Sequence, residues 1–128
     1  MDTGLLSTSC VTIIPIIAQR LAAMHFPQHL PTLTLAMTVM LRTELRQVAG
    51  LLRQIEPFSL VEDASAHVEA LIADFTGIIQ CWARGDTAGV QNTLEQLPAE
   101  YKELQQVLDR LMQQIHAQEA DKTPQDPK

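Results

Sequence analysis

Four histidines are the side chains in this 128-residue sequence best suited to acid–base catalysis or metal binding. His25 and His29 are four residues apart, which would place them on one face of a helix. Pro27 lies between them and interrupts a regular helix, so we do not expect them to share a face. The iron carboxylate bundles need Glu-x-x-His on two helices, and this sequence contains no Glu-x-x-His.

The other two histidines each have an acidic residue nearby. His67 follows Asp63 by one helical turn, and His116 precedes Glu119 by three residues. Either pair could hold a metal only with ligands from another helix, and an enzyme would need the histidines to face one cleft beside carboxylates. We therefore predict surface ion pairs at His67 and His116, with no metal site, no catalytic residues and no cofactor.

The two cysteines are far apart in sequence and form no CxxC motif. Cys10 and Cys81 are expected to be small hydrophobic side chains in a reduced cytoplasm. A disulfide between them is the alternative. Cys81 lies in an apolar stretch, which raises rather than lowers the pKa of a thiol. The sequence also lacks a Gly-x-Ser-x-Gly nucleophile elbow and a glycine-rich phosphate loop.

Acidic residues occur in close pairs at two places, Glu62 with Asp63 and Glu100 with Glu103. Both pairs fall where we expect helices to begin, and a helix dipole favours acidic side chains there. Neither pair requires a catalytic explanation. We therefore predict that the protein is not an enzyme.

The composition favours helices. Apolar residues make up 46% of the chain but aromatic residues only 4%, and five glycines and seven prolines are too few for many turns between strands. Residues 1–57 carry a net charge of +1 and residues 58–128 carry −7. Such an acidic second half disfavours nucleic-acid binding, and Arg42, Arg46 and Arg53 are interpreted as the solvated face of a helix.

The apolar residues repeat with helical spacing. We predict a first helix over residues 12–24 and a second from Pro31 or Thr32 to Glu56, with an apolar row that begins at Leu41. Residues 11–18 form an apolar run that is too short to span a membrane and is interrupted by Pro15, so membrane contact is not expected. The row of the second helix is Leu41, Leu45, Val48, Leu52 and Ile55.

Two further helices are predicted in the second half. Ser59 and Glu62 have the spacing of a capping box, and Gly85 would end the third helix. Asp86 would cap a fourth helix, whose apolar row passes through Pro98 and predicts a kinked or closely jointed pair. The two rows are Val61, Ala64, Val68, Leu71, Phe75, Ile78 and Trp82, then Val90, Leu94, Leu97, Tyr101, Leu104, Leu108, Leu111 and Ile115.

These elements predict an all-α fold, an antiparallel four-helix or three-plus-one bundle with left-handed, coiled-coil-like packing. Residues 1–120 would form the single domain. Residues 121–128 contain two prolines and no apolar anchor, which predicts a disordered tail.

Residues 11–41 contain more apolar side chains than one stripe per helix can bury. We predict that they form an interface in a non-enzymatic interaction module, a homodimer or a small adaptor or chaperone-like subunit that binds another protein. The alternative is an internal pocket for a small apolar ligand. The candidate residues for either role are Ile13, Ile17, Leu21, Met24, Leu33, Met37, Met40 and Leu41.

Overall fold

A computed structural model describes residues 6–122, without the side chains of residues 26, 27, 31 and 120–122. Four long helices dominate it and confirm the all-α prediction. The predicted tail begins at residue 121, but the last helix continues to residue 122 and the rest of that segment lies outside the described residues. The helices are α1 (Thr8–Ala23), the short α2 (Phe26–His29), α3 (Leu35–Arg53), α4 (Glu62–Arg84) and α5 (Thr87–Lys122), with 3₁₀ turns at Leu30–Thr32 and Phe58–Val61.

Contacts at both ends of α1 show that it runs antiparallel to α3. At its start, the Ser9 hydroxyl accepts a hydrogen bond from the Glu56 backbone N–H at 2.9 Å and donates to the Glu56 carbonyl at 3.4 Å. Near its end, Arg20 lies 3.6 Å from the Glu44 carboxylate. These contacts fix the register of the two helices.

The same helix runs antiparallel to α5. The side chain of Gln118 pairs with the backbone of Leu6, accepting from its N–H at 2.6 Å and donating to its carbonyl at 3.2 Å. At the other end of α1, the Tyr101 hydroxyl donates to the Leu21 carbonyl at 3.2 Å. Both polar contacts are buried, so they position α1 as well as stabilise it.

The remaining neighbours complete the bundle. Arg53 of α3 contacts Glu69 of α4 at 3.1 Å, and Arg42 donates to the Thr76 hydroxyl at 3.3 Å, so α3 and α4 are antiparallel. Helices α4 and α5 form a hairpin, in which Gly85 takes a left-handed φ of 73°. All neighbouring long helices are therefore antiparallel, as predicted for a four-helix bundle.

The core consists of the predicted apolar rows. Trp82 and Leu94 are only partly buried, and every other member of the three rows is buried. Ile14, Ile17 and Leu21 of α1 complete the interior, and each large apolar side chain buried in this way contributes about 1.5–3 kcal/mol. None of the described helices has the length and hydropathy required to cross a membrane.

Helices α1 and α4 begin elsewhere than predicted. Helix α1 begins at Thr8 rather than residue 12, because Ser7 caps it by accepting the Cys10 backbone N–H at 3.2 Å. The capping box is wrong: residues 58–61 already form a 3₁₀ turn, so Ser59 lies within that turn and makes no cap. Glu62 instead occupies the first position of α4, where the helix dipole favours its carboxylate.

Helix α5 is a single element of 36 residues, about 54 Å long, with Pro98 inside it. The predicted cap is confirmed, since Asp86 accepts the Gly89 backbone N–H at 2.9 Å. Because the helix begins at Thr87, Glu100 and Glu103 lie well inside it. The helix-dipole explanation for that acidic pair is therefore wrong.

We expect Gln118→Ala to lower the free energy of unfolding by about 1–3 kcal/mol, because it leaves the buried N–H and carbonyl of Leu6 without partners. Urea denaturation measures the change. The matched control is Gln114→Ala, an exposed glutamine one turn earlier on α5, which should change stability by less than about 0.5 kcal/mol. Equal effects of the two substitutions would contradict the role given to Gln118.

Candidate functional site: an open apolar groove between α1 and α3

A short irregular segment separates α1 from α3. His25 has a positive φ of 49°, a left-handed conformation that ends α1 and turns the chain. Helix α2 and the following 3₁₀ turn lead to Leu33, and both Leu30 and Leu33 pack against the core. This segment covers part of the end of the bundle.

Helix α3 begins at Leu35, later than the predicted start at Pro31 or Thr32, because those residues belong to the 3₁₀ turn. Thr34 is its cap and accepts the Met37 backbone N–H at 3.2 Å. The Thr34 carbonyl also accepts the hydroxyl of Thr38, a fully buried side chain, at 2.8 Å. These bonds hold the first turn of α3 firmly although its outer face is exposed.

A groove of about 620 Å³ lies between the end of α1 and the first half of α3. It is open to solvent on one side. Met24 and Leu41 are buried at its base, Met37 is half-buried, and the Met40 side chain is 67% exposed at its rim. The lining residues are Arg20, Ala23, Met24, His29, Met37, Val39, Met40, Leu41, Thr43 and Glu44.

The groove exists because α3 extends further than α1 at this end of the bundle. Glu44 lies level with Arg20, and α1 continues only about 5 Å beyond that point, to Ala23. Leu35 is nine residues before Glu44, so α3 extends about 13 Å in the same direction. The first turns of α3 therefore lack α1 as a neighbour on one side.

The exposed apolar side chains concentrate at this place. The described residues contain five large hydrophobic side chains with substantial exposure, and Leu35, Val39 and Met40 are three of them. Ile16 on α1 is a fourth, and Phe58 lies at the opposite end of the bundle. We call Leu35, Val39 and Met40 the exposed α3 patch. Leu35 and Val39 are one helical turn apart and share a face.

The polar rim of the groove is a local network. The Arg20 guanidinium donates to the Gln47 amide oxygen at 2.8 Å and also lies near Glu44. Because Arg20 and Glu44 neutralise each other, the groove has no strong net charge of its own. The groove offers apolar contact to an occupant, and its polar rim could orient that occupant. Its lining residues include no nucleophile paired with a base.

The predicted site residues divide into two sets of four. Met24, Met37, Met40 and Leu41 line the groove. The other four belong to the interior: Ile17 and Leu21 are buried in the core, and Ile13 and Leu33 pack against it. Sequence reasoning missed Leu35 and Val39, whose i, i+4 spacing was hidden in a segment that is apolar nearly all round.

The other residues considered for chemistry are dispersed. His116 lies 3.9 Å from Glu119, as predicted, whereas His67 lies 3.9 Å from Glu103 of α5 and not beside Asp63, the neighbour that the sequence indicated. Within the described part of the chain, no three histidine, cysteine or acidic side chains could hold a metal ion together. The thiols of Cys10 and Cys81 are free, and burial raises the pKa of the Cys10 thiol.

One pair of carboxyl groups was not predicted. Asp74 of α4 and Glu100 of α5 meet across the hairpin. Burial, a hydrogen bond with Asp74 and the negative charges of Asp74 and Glu103 raise the pKa of Glu100 to about 7. One feature of the sequence could have indicated this pair: each acid directly precedes an aromatic residue of a predicted apolar row, Phe75 or Tyr101.

No protein-family model, curated protein sequence or solved structure matches this chain. The interpretation of the groove therefore depends on its geometry.

In protein dilute enough for the groove to be uncovered, we expect Met40→Ser to reduce the fluorescence of an environment-sensitive hydrophobic dye, because it removes the most exposed apolar side chain of the groove. Stability should change by less than about 0.5 kcal/mol, since the side chain is largely solvated already. Phe58→Ser is the control, an exposed apolar residue outside the groove. Dye fluorescence that falls equally in both variants would contradict a specific apolar site.

Proposed function

We propose that the protein is a non-enzymatic helical interaction module and that its groove binds apolar side chains of another protein chain. The observation that supports this function is the exposed α3 patch beside an open groove of about 620 Å³. Soluble proteins seldom leave adjoining apolar side chains exposed unless they contact a partner. Methionine is common in adaptable interfaces, and Met24, Met37 and Met40 all line this groove.

The shape of the groove favours a protein over a small apolar ligand as the occupant. Small-molecule sites enclose most of the surface of their ligand, whereas this groove is open along one side. Leu35 and Val39 lie on one face of α3 next to it, which is the arrangement that receives a helix from a partner. A ligand confined to the groove would leave Leu35, which is not a lining residue, uncovered.

A second copy of the chain is the occupant that we propose. Residues 1–57, which include α1 and α3, carry a net charge of +1, whereas residues 58–128 carry −7. Two copies with a net charge of −6 each repel least when they approach through their near-neutral halves. A twofold axis beside α3 would place the exposed α3 patch of one copy against that of the other.

The location of the protein forms part of the same proposal. Free thiols at Cys10 and Cys81 suit a reducing compartment such as the cytoplasm. In that compartment, the same apolar surface would bind a second copy in a homodimer. If the chain is instead a small adaptor subunit, the surface would bind another protein.

Size-exclusion chromatography with light scattering tests the proposal. We expect the wild-type chain to have a mass of twice 14.2 kDa and Met40→Glu to be monomeric, because a carboxylate in an apolar interface is costly to desolvate. Phe58→Glu, which introduces the same charge far from the groove, should remain dimeric.

A monodisperse wild-type monomer that binds no hydrophobic dye would contradict the proposed function. A monomer that binds the dye through Met40 would exclude self-association and leave a different protein as the occupant. Equal dissociation of Met40→Glu and Phe58→Glu would show that added charge alone separates the copies.

A further inference from the structure

The methionines around the groove differ in how far solvent reaches them. Met40 is 67% exposed, Met37 is half-buried and Met24 is buried. Met112 of α5 is partly buried against the core, away from the groove. Within residues 6–122, Met40 therefore presents the thioether that a small molecule dissolved in water reaches most easily.

A thioether in such a position reacts with hydrogen peroxide. The sulfur lone pair attacks one peroxide oxygen, the O–O bond breaks and an S–O bond forms. The departing hydroxide takes the proton of the transferred oxygen, so the products are one methionine sulfoxide and one water. The sulfur is oxidised by two electrons and the peroxide is reduced by two. Exposure decides which methionine reacts first, and it favours Met40.

The product changes the chemistry of the groove. A sulfoxide is polar and accepts hydrogen bonds, whereas the thioether that it replaces is apolar and adaptable. Because Met40 is largely exposed in the single chain, water solvates the new oxygen there and the fold tolerates it. Contact with an apolar surface of a second copy removes that water and leaves the oxygen without a donor. Oxidation therefore opposes association more than folding.

Two donors that line the groove are already engaged. Thr43 donates its hydroxyl to the Val39 carbonyl at 3.0 Å. The Arg20 guanidinium lies 3.6 Å from the Glu44 carboxylate. A sulfoxide oxygen at Met40 could use either donor only by breaking that contact, so these side chains offer little compensation for the lost water.

We propose that Met40 is an oxidation site whose sulfoxide dissociates the homodimer, a regulation that rests on the function proposed for the groove. In that dimer the second copy covers Met40, so peroxide reacts with the free chain. Each oxidised chain leaves the association equilibrium, and reduction of the sulfoxide returns it. The assembly would thereby respond to peroxide.

The two thiols also react with peroxide and have to be separated from Met40. Cys10 is fully buried, and burial raises the pKa of its thiol, which lowers the fraction of reactive thiolate. Cys81 is partly exposed, with the Arg84 guanidinium 3.6 Å from its sulfur. Neither cysteine lines the groove, so oxidation of either thiol should leave the dimer intact.

Light scattering over a dilution series, before and after mild treatment with hydrogen peroxide, measures the dissociation constant of the dimer. Peptide mass spectrometry locates the added oxygen. We expect Met40 to be oxidised first, and faster in dilute protein, where fewer chains are paired. The dissociation constant should rise at least about tenfold, because the interface buries the polar group of both copies. Methionine sulfoxide reductases should restore the original value.

The variants assign the effect to one sulfur. Met40→Leu retains an apolar side chain without sulfur, so peroxide should leave its dissociation constant where it was before treatment. Met40→Gln places an uncharged polar group there and should weaken the dimer at least about tenfold before any peroxide is added. Met112→Leu and Cys81→Ser should both retain the wild-type response, because neither residue lines the groove. Far-ultraviolet circular dichroism confirms that each variant is folded.

A wild-type chain that is monomeric before treatment would contradict the function proposed for the groove, and with it the regulation. A dimer whose dissociation constant is unchanged once Met40 is oxidised would overturn the regulation alone. So would oxidation of Met37 or Met112 ahead of Met40, or a Met40→Leu dimer that peroxide still dissociates. Wild-type affinity in Met40→Gln would also overturn it, since polarity at this position would then not control association.

Discussion

The register of α1 against α3 is the constraint on which the rest of this structure depends. Ser9 and Arg20 fix that register through Glu56 and Glu44, and α1 then ends while α3 continues. A helix of a bundle can bury a wide apolar stripe only where it has neighbours on both sides. At the first turns of α3 one neighbour is missing, so apolar side chains that would otherwise be core line an open groove.

The same architecture separates the molecule into two halves with different roles. Helices α4 and α5 bury single apolar rows, expose charged faces and carry most of the negative charge. Helices α1 and α3 belong to the half of the chain with a net charge of +1 and carry the groove. In the self-association that we propose, like-charge repulsion would disfavour contact through the acidic half and favour contact through the other half. The Asp74–Glu100 pair belongs to the acidic half.

Sequence periodicity was sufficient for the fold but insufficient for the site. The rows from Leu41, Val61 and Val90 became core because heptad spacing directly reports which face of a helix is buried. Ser59 was wrongly predicted to cap α4. The residues of a capping box are the same whether the chain before the helix is extended or, as here, forms a 3₁₀ turn. Leu35 and Val39 could not be distinguished from core residues, since their exposure depends on where α1 ends. Glu100 was misinterpreted because it was taken to lie near a helix start.

We propose that a second copy covers the exposed α3 patch, and the methionine methyl groups would report on that contact directly. In a dilution series of protein with ¹³C-labelled methionine methyls, the resonances of Met40 and Met37 should move with concentration, because both lie at the groove. Met112, which packs against the core on α5 and does not line the groove, should keep its position. Concentration-independent resonances for Met40 and Met37 in protein that is monomeric by light scattering, or a change confined to Met112, would contradict self-association through the groove.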